Sequence, residues 1–183
     1  MTRRRSTARS RPPLPGVAVR VVDAEGRPCA AGEVGSIEVK GPNVFAGYWR
    51  MPEKTAAEFK PDGFFITGDL GKTDARGYVH IVGRGKDLII TGGFNVYPKE
   101  VEEVLLSHPS IAEVAIVGMP EPKWGEVGVA VIVRREGMTP ISEAEIFGHL
   151  EGRCAKYRWP RHIFFWDVMP KSGYGKIVKK DIK

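Results

Sequence analysis

Three short segments carry residue types that could do chemistry, and the first is Thr67-Gly68-Asp69. A carboxylate can accept hydrogen bonds from a ribose diol, and a neighbouring glycine lets a ligand approach the backbone closely. The apolar residues before it predict a strand over residues 63–69 that ends at the aspartate. A turn-capping aspartate is the common alternative for this pattern.

In the second segment, glycines lie beside basic residues and one acidic residue, Asp87. Arg84 and Lys86 lie in the run 83–87, and Gly92 and Gly93 follow shortly after it. Glycine permits the changes of φ that a hinge needs, and arginine can bind a phosphate or a ribose oxygen. An ordinary linker with a solvated charge pair is the alternative.

The third segment lies near the C-terminus, where Lys176 follows a glycine-containing loop that starts at Pro170. A lysine on such a loop can swing into a site and meet an anion. Three further lysines follow it, so a solvated lysine in a basic tail is the competing interpretation.

Other side chains give weaker signals. The four histidines and two cysteines lack the spacing of a catalytic triad or a zinc site, so the sequence predicts no metal site. The four tryptophans are interpreted as packing residues. No apolar run reaches about 18 residues, which predicts that the chain does not span a membrane.

The net charge of +6 comes almost entirely from residues 1–13, which hold five arginines and no acidic residue. This composition predicts a disordered tail; a transit peptide and a nucleic-acid-binding arm are the alternatives. Because the rest of the chain is nearly balanced in charge, we expect no nucleic-acid partner and no membrane partner. We expect a cytoplasmic location, or the mitochondrial matrix if the tail is a transit peptide.

Periodicity divides the remaining chain into two parts, with a boundary near Gly85. Residues 14–84 show short strands, glycine turns and one short helix that begins at Pro52. Residues 85–183 alternate strands with helices, including one with a capping pattern from Ser142 to Glu145 that is expected to run to about Cys154. The pattern predicts a β-rich unit followed by a compact α+β domain.

In this order, the segments resemble the late motifs of the adenylate-forming acyl-CoA synthetase superfamily. Residues 65–69 resemble its TGD motif, residues 83–102 its hinge and the glycine loop after it, and residues 170–176 its terminal PKxxxGK motif. Gly118-Met119-Pro120, with Gly125-Glu126, resembles a further segment. The resemblance covers about residues 13–183, and residues 41–102 are most similar to malonyl-CoA synthetases.

The resemblance implies a fold and a reaction. The fold would be the β-rich end of the large AMP-binding domain, residues 14–84, followed by a small mobile C-terminal domain, residues 85–183. A carboxylate would attack ATP to give an acyl-adenylate and pyrophosphate, and coenzyme A would then displace AMP.

The resemblance also implies residue roles. Asp69 and Arg84 would bind the nucleotide, Lys176 would be catalytic in adenylation, and Lys86 would be the hinge. Gly92 and Gly93 would face the passage for the pantetheine arm of coenzyme A.

The resemblance implies ATP, Mg2+ and coenzyme A as reactants, with the Mg2+ ligands in an N-terminal domain that precedes these motifs in the family. We therefore expect the 183 residues to be inactive alone. A non-catalytic interaction module that complements a separate large domain in trans is the alternative.

Overall fold

The computed structural model describes residues 14–183, and it divides into two compact units between Lys86 and Asp87. The predicted tail, residues 1–13, lies outside the described residues. Both units mix helices with mostly antiparallel strands, so the predicted α+β fold class is confirmed.

The first unit is a four-stranded antiparallel sheet with the strands in chain order. Its elements are β1 (Ala18–Val22), β2 (Gly35–Lys40), α1 (Pro52–Glu58), β3 (Phe65–Thr73) and β4 (Val79–Arg84). The proline at the start of α1 takes the position where a missing N–H does no harm.

One predicted boundary in the first unit is wrong. The strand expected to end at Asp69 continues to Thr73. A register irregularity between Leu70 and Gly71 lets β3 bend against β4 without ending. Asp69 therefore lies within a strand.

The second unit is a five-stranded sheet in the order β6-β5-β8-β7, with β9 parallel to β8. Its elements are β5 (Ile89–Thr91), β6 (Phe94–Val96), α2 (Pro98–Leu106), β7 (Ile111–Glu121), β8 (Gly125–Arg134), α3 (Glu143–Leu150) and β9 (His162–Trp166). Single 3-10 turns lie at Gly85–Asp87, Lys156–Arg158 and Lys179–Asp181.

The helix α3 begins as predicted and ends early. Ser142 and Glu145 form the expected capping box, in which the serine accepts from the Glu145 N–H. The helix ends at Leu150, one turn before Cys154, because Glu151 has extended backbone and a glycine with positive φ follows at 152.

Strand side chains alternate between the two faces of the second sheet, and both faces are covered. Ile116 and Ile132 face the helices and join a cluster that includes Leu105 of α2 and Ile146 of α3. Residues on the opposite face form a second cluster with the C-terminal segment; its members are Ala112, Ala115, Val131, Val133, Met169, Ile177 and Ile182.

Candidate functional site

Asp69 and Arg84 are brought together in the first unit by strand pairing. They stand directly opposite each other on β3 and β4, and Nε of Arg84 lies 2.8 Å from Oδ1 of Asp69. The Asp69 side chain is 25% exposed and the Arg84 side chain 55%, so the pair is accessible to a ligand. The arrangement presents a carboxylate acceptor beside a guanidinium donor.

The residues before Asp69 explain how the motif holds its shape. The Thr67 hydroxyl donates to the Ile37 carbonyl at 2.9 Å and accepts from the Asp69 N–H at 3.1 Å. Gly68 has a φ of +74°, and a Cβ there would come within 3.8 Å of the Arg84 guanidinium. Glycine is therefore favoured at 68, because other residues adopt this φ at a cost.

Lys86 lies in the 3-10 turn Gly85–Asp87, at the division between the two units. Its side chain is exposed. A short turn at a boundary offers few backbone hydrogen bonds that a change of φ and ψ would break.

Gly92 and Gly93 form the hairpin turn between β5 and β6. The sequence analysis did not predict these two strands. Their φ angles are +55° and +81°, as a two-residue type I′ turn requires. The Gly92 N–H donates to the Trp124 carbonyl at 2.9 Å. A Cβ on Gly92 would lie 2.7 Å from the Trp124 ring, whereas a Cβ on Gly93 would meet nothing within 4 Å.

A cavity of about 520 Å³ lies beside this hairpin, within the second unit. The turn residues are flanked by two of its lining residues, Thr91 and Phe94. Its walls combine aromatic rings with cationic side chains, which are Phe94, Trp124, Phe147, Tyr157, Trp159, Lys156, Arg158 and Arg161. Flat aromatic faces and cations together suit a ligand with a ring and phosphate groups.

The cavity walls are held by specific contacts. Nη1 of Arg158 lies 2.8 Å from Oε2 of Glu100 on α2, and the Trp159 indole N–H donates to the Cys154 carbonyl at 2.9 Å. The hydrogen bond with the Tyr157 hydroxyl, and then Glu100, raise the pKa of Arg158. The Arg158 guanidinium is thus already paired within the protein.

Two cations of the cavity remain available. Lys156 and Arg161 are exposed, and neither has a carboxylate within 4 Å among residues 14–183. The guanidinium of Arg161 lies 5.7 Å from the centre of the Trp124 ring. The sequence prediction missed this group because it interpreted the tryptophans as packing residues; the alternation of basic and aromatic residues over 156–161 was the available signal.

Lys176 lies on a short C-terminal finger, which we define as residues 170–178. The Ser172 N–H donates to the Lys176 carbonyl at 2.8 Å, and the Val178 N–H donates to the Pro170 carbonyl at 2.9 Å. The Lys176 side chain is exposed and has no ion-pair or hydrogen-bond partner among the described residues. A charged amine in water at a loop tip can meet an anionic group.

Residues 14–183 contain neither a cluster of metal-binding side chains nor a helix suited to a membrane. Among these residues, no three His, Cys, Asp or Glu side chains cluster closely enough to hold a metal ion. No helix in the same range combines the length and apolar composition that crossing a membrane requires.

Family comparisons match two parts of the chain. Residues 100–176 match the AMP-binding enzyme C-terminal domain, and residues 1–49 match the AMP-binding enzyme family. The second match begins at residue 1, so the similarity extends into the arginine-rich segment that the motif resemblance had excluded. Lys176 is the last residue of the first match.

Individual relatives agree with these matches. The chain is 45% identical over 165 residues to feruloyl-CoA synthase of Amycolatopsis sp, covering 90% of this chain and 33% of that protein. It resembles ATP-bound MatB from Rhodopseudomonas palustris, with a TM-score of 0.85, 54% identity, and coverage of 93% and 34%. It also resembles o-succinylbenzoate CoA synthetase (MenE) from Bacillus subtilis bound to the acyl-adenylate OSB-AMP, with a TM-score of 0.87, 38% identity, and coverage of 93% and 34%. The chain thus spans about a third of the length of its relatives.

Proposed function

Because the chain belongs to the AMP-binding enzyme family, we propose that it is the part of an ATP-dependent acyl-CoA synthetase that holds the nucleotide ribose, the adenylation lysine and the coenzyme A passage. The enzyme is an acid–thiol ligase. A carboxylate and ATP give an acyl-adenylate and pyrophosphate, and the thiol of coenzyme A then attacks the acyl carbon and releases AMP.

The cavity beside the Gly92–Gly93 turn is the observation that carries this proposal. Coenzyme A has an adenine ring, phosphate groups and a narrow pantetheine arm. The Trp124 and Tyr157 rings supply stacking surfaces, and Lys156 and Arg161 supply cations without carboxylate partners among residues 14–183. The pantetheine arm passes the glycine turn, where Gly93 leaves open space.

Asp69 and Arg84 bind the nucleotide in the proposed reaction. The Asp69 carboxylate accepts hydrogen bonds from the ribose hydroxyls, and Arg84 contacts the ribose or the phosphate. Their ion pair supports this role, because the guanidinium holds the carboxylate in a fixed orientation before the ligand arrives.

Lys176 stabilises the adenylation transition state. Negative charge builds up between the attacking carboxylate and the α-phosphate of ATP, and an ammonium placed there lowers the barrier. An exposed lysine without a partner among the described residues suits this task, because no existing ion pair has to be broken.

Lys86 is the proposed hinge. Rotation of residues 87–183 about this position would let one enzyme run adenylation and thioester formation in turn. The division of the chain between Lys86 and Asp87 supports this assignment.

The proposed acyl group is malonyl or a related short- to medium-chain group. The support is the similarity of residues 41–102 to malonyl-CoA synthetases. Pyrophosphate release by the enzyme that carries these residues, measured with malonate, acetate and longer fatty acids, tests this proposal. A preference for long-chain acids over malonate would contradict it.

We further propose that the 183 residues do not catalyse alone, because the relatives have about three times this length. The Mg2+ ligands and the adenine pocket are assigned to the remaining two thirds of the enzyme. A role as a separate module that completes a large domain in trans is the second candidate.

The test uses a chimera in which residues 14–183 replace the matching third of MatB. Arg161→Gln removes a cation from the cavity, so we expect the KM for coenzyme A to rise about tenfold, the effect of losing one hydrogen bond to a charged group. The adenylation rate should not change. Arg76→Gln, an exposed arginine outside the cavity, is the matched control. An unchanged KM for coenzyme A would refute the cavity assignment.

A further inference from the structure

The finger that carries Lys176 is anchored by ion pairs at both ends. Near its start, Nζ of Lys171 lies 2.8 Å from Oε2 of Glu113 on β7. After it, Nζ of Lys179 lies 2.7 Å from Oε1 of Glu102 on α2. The finger also contributes an apolar contact to the sheet through Ile177.

The Lys179–Glu102 ion pair is the more buried of the two. The side chains of Lys179 and Glu102 are 23% and 16% exposed, whereas those of Lys171 and Glu113 are 40% and 28% exposed. Water screens an ion pair less as its exposure falls, so the Lys179–Glu102 pair restrains the chain more tightly.

Both partners of this anchor also bind the backbone of one residue, Ile116. Nζ of Lys179 donates to the Ile116 carbonyl at 3.0 Å, and Oε1 of Glu102 accepts from the Ile116 N–H at 2.8 Å. Among the described residues β7 pairs only with β8, so Ile116 stands on a sheet edge. The two side chains satisfy the backbone groups that an edge strand leaves unpaired.

This network fixes where Lys176 can reach. Three residues of extended chain span at most about 10 Å, so holding Lys179 confines the Lys176 Cα to a small volume. The Glu102 carboxylate is itself fixed by α2 and by the Ile116 N–H. A network with every partner satisfied resists displacement more than a single surface pair does.

Resting on the adenylation role proposed for Lys176, we propose that Lys179 and Glu102 are positioning residues for that lysine. They touch neither the carboxylate nor ATP. They hold the end of the finger at a fixed position on the edge of β7. The Lys176 ammonium is therefore already positioned to reach the α-phosphate.

The position of Glu102 adds a second consequence. The helix α2 begins at Pro98, directly after the β5–β6 hairpin that carries Gly92 and Gly93. The Lys179–Glu102 pair therefore connects α2, which follows the Gly92–Gly93 turn, to the segment that follows Lys176. Both functions are carried on one body within the second unit.

The test compares three variants in the chimera. Lys179→Met keeps the length of the side chain and removes its charge, and Lys179→Arg keeps the charge. Lys180→Met changes the exposed neighbour, for which the described residues provide no ion pair. Two rates are measured, which are pyrophosphate release without coenzyme A and thioester formation from supplied acyl-adenylate.

We expect Lys179→Met to lower adenylation on the order of tenfold to a hundredfold, as small misplacements of a catalytic group do. Thioester formation should be unchanged, Lys179→Arg should restore most of the adenylation rate, and Lys180→Met should match the parent. In the 183-residue chain, Lys179→Met should speed amide hydrogen exchange at Lys176 and Val178 and leave the β7–β8 amides protected. Unprotected β7–β8 amides would mean general unfolding.

Two results would overturn the positioning role. An equal fall in both half-reactions would show that the pair only protects the sheet edge, and no fall at all would show that the finger needs no such anchor. Lys176→Ala, measured alongside, separates this inference from the proposed function. If Lys176→Ala left adenylation intact, the function assigned to Lys176 itself would be wrong, whatever Lys179→Met did.

Discussion

The two units place their chemistry-bearing side chains by different means. In the first, Asp69 and Arg84 stand opposite each other on paired strands, so the backbone register alone brings them together. In the second, Lys176 lies on a finger whose two ends are held by side-chain ion pairs. Backbone pairing places the first two side chains whatever their neighbours are, whereas the position of Lys176 depends on ion-paired side chains that one substitution can remove.

The largest expected effect comes from removing the lysine on the finger. In the chimera, Lys176→Ala should lower adenylation about a hundredfold to a thousandfold, as loss of one transition-state donor does. Thioester formation from supplied acyl-adenylate should be nearly unchanged. Pyrophosphate release and thioester formation are measured separately, and an equal loss in both would contradict the difference drawn between the two units.

The next effect probes the strand-held pair. Asp69→Asn removes the charge and keeps the shape, so we expect the KM for ATP to rise about tenfold to a hundredfold, the value of hydrogen bonds to a charged group. Because AMP occupies the same ribose site, use of supplied acyl-adenylate should weaken as well. Asp167→Asn, at an exposed aspartate outside the pair and the hinge turn, is the control. Loss confined to adenylation would argue that Asp69 does not hold the ribose.

A smaller effect is expected at the junction. Lys86→Pro fixes φ near −65° at the proposed hinge and should slow thioester formation more than adenylation. The two half-reactions are compared in the chimera, with Lys86→Ala as the control that leaves φ free. If the proline lowered both rates equally, misfolding would explain the result better than a blocked hinge.

The two turn glycines provide a matched pair. Gly92→Ala places a Cβ 2.7 Å from the Trp124 ring, so we expect a loss of about 1–3 kcal/mol in the free energy of unfolding, together with a higher KM for coenzyme A. Gly93→Ala meets open space and should cost only about 1 kcal/mol, from its positive φ. Chemical denaturation of the 183-residue chain measures both, and equal losses would refute the packing argument.

The smallest expected effect is a pH dependence of stability between α2 and α3. Burial, and then the charge of His149, lower the pKa of His108 from its ordinary value of 6.5, while Glu145 opposes them. The folded state therefore favours neutral His108, so its stability is full above pH 6.5 and falls as the unfolded chain takes up the proton at lower pH.

His108→Gln removes this titration. We expect its Tm to fall less steeply than that of the parent between about pH 8 and about pH 5. Thermal unfolding of the 183-residue chain, followed by circular dichroism, provides the comparison. Parallel curves for the two proteins would show that His108 contributes nothing to the pH dependence.

Local signals in the sequence predicted most elements. Short strands were predicted in both parts of the chain, Pro52 marked the start of α1, and the Ser142–Glu145 capping box marked the start of α3. These features depend on residues close together in the chain.

Long-range features were beyond the sequence pattern. The continuation of β3 past Asp69 depends on a bend against β4, and the β5–β6 hairpin has strands of only three residues. The Lys179–Glu102 anchor joins residues far apart in the chain, so no local spacing could predict it.

The most direct test of the central claim compares acyl-CoA formation in three samples, with ATP, Mg2+, coenzyme A and the carboxylate substrate of MatB. The samples are the 183-residue chain alone, the other two thirds of MatB alone, and the two joined as the chimera. We predict turnover only in the chimera, with pyrophosphate release that depends on Lys176. Turnover by the 183-residue chain alone, or a folded chimera that releases pyrophosphate and forms no thioester, would contradict the account.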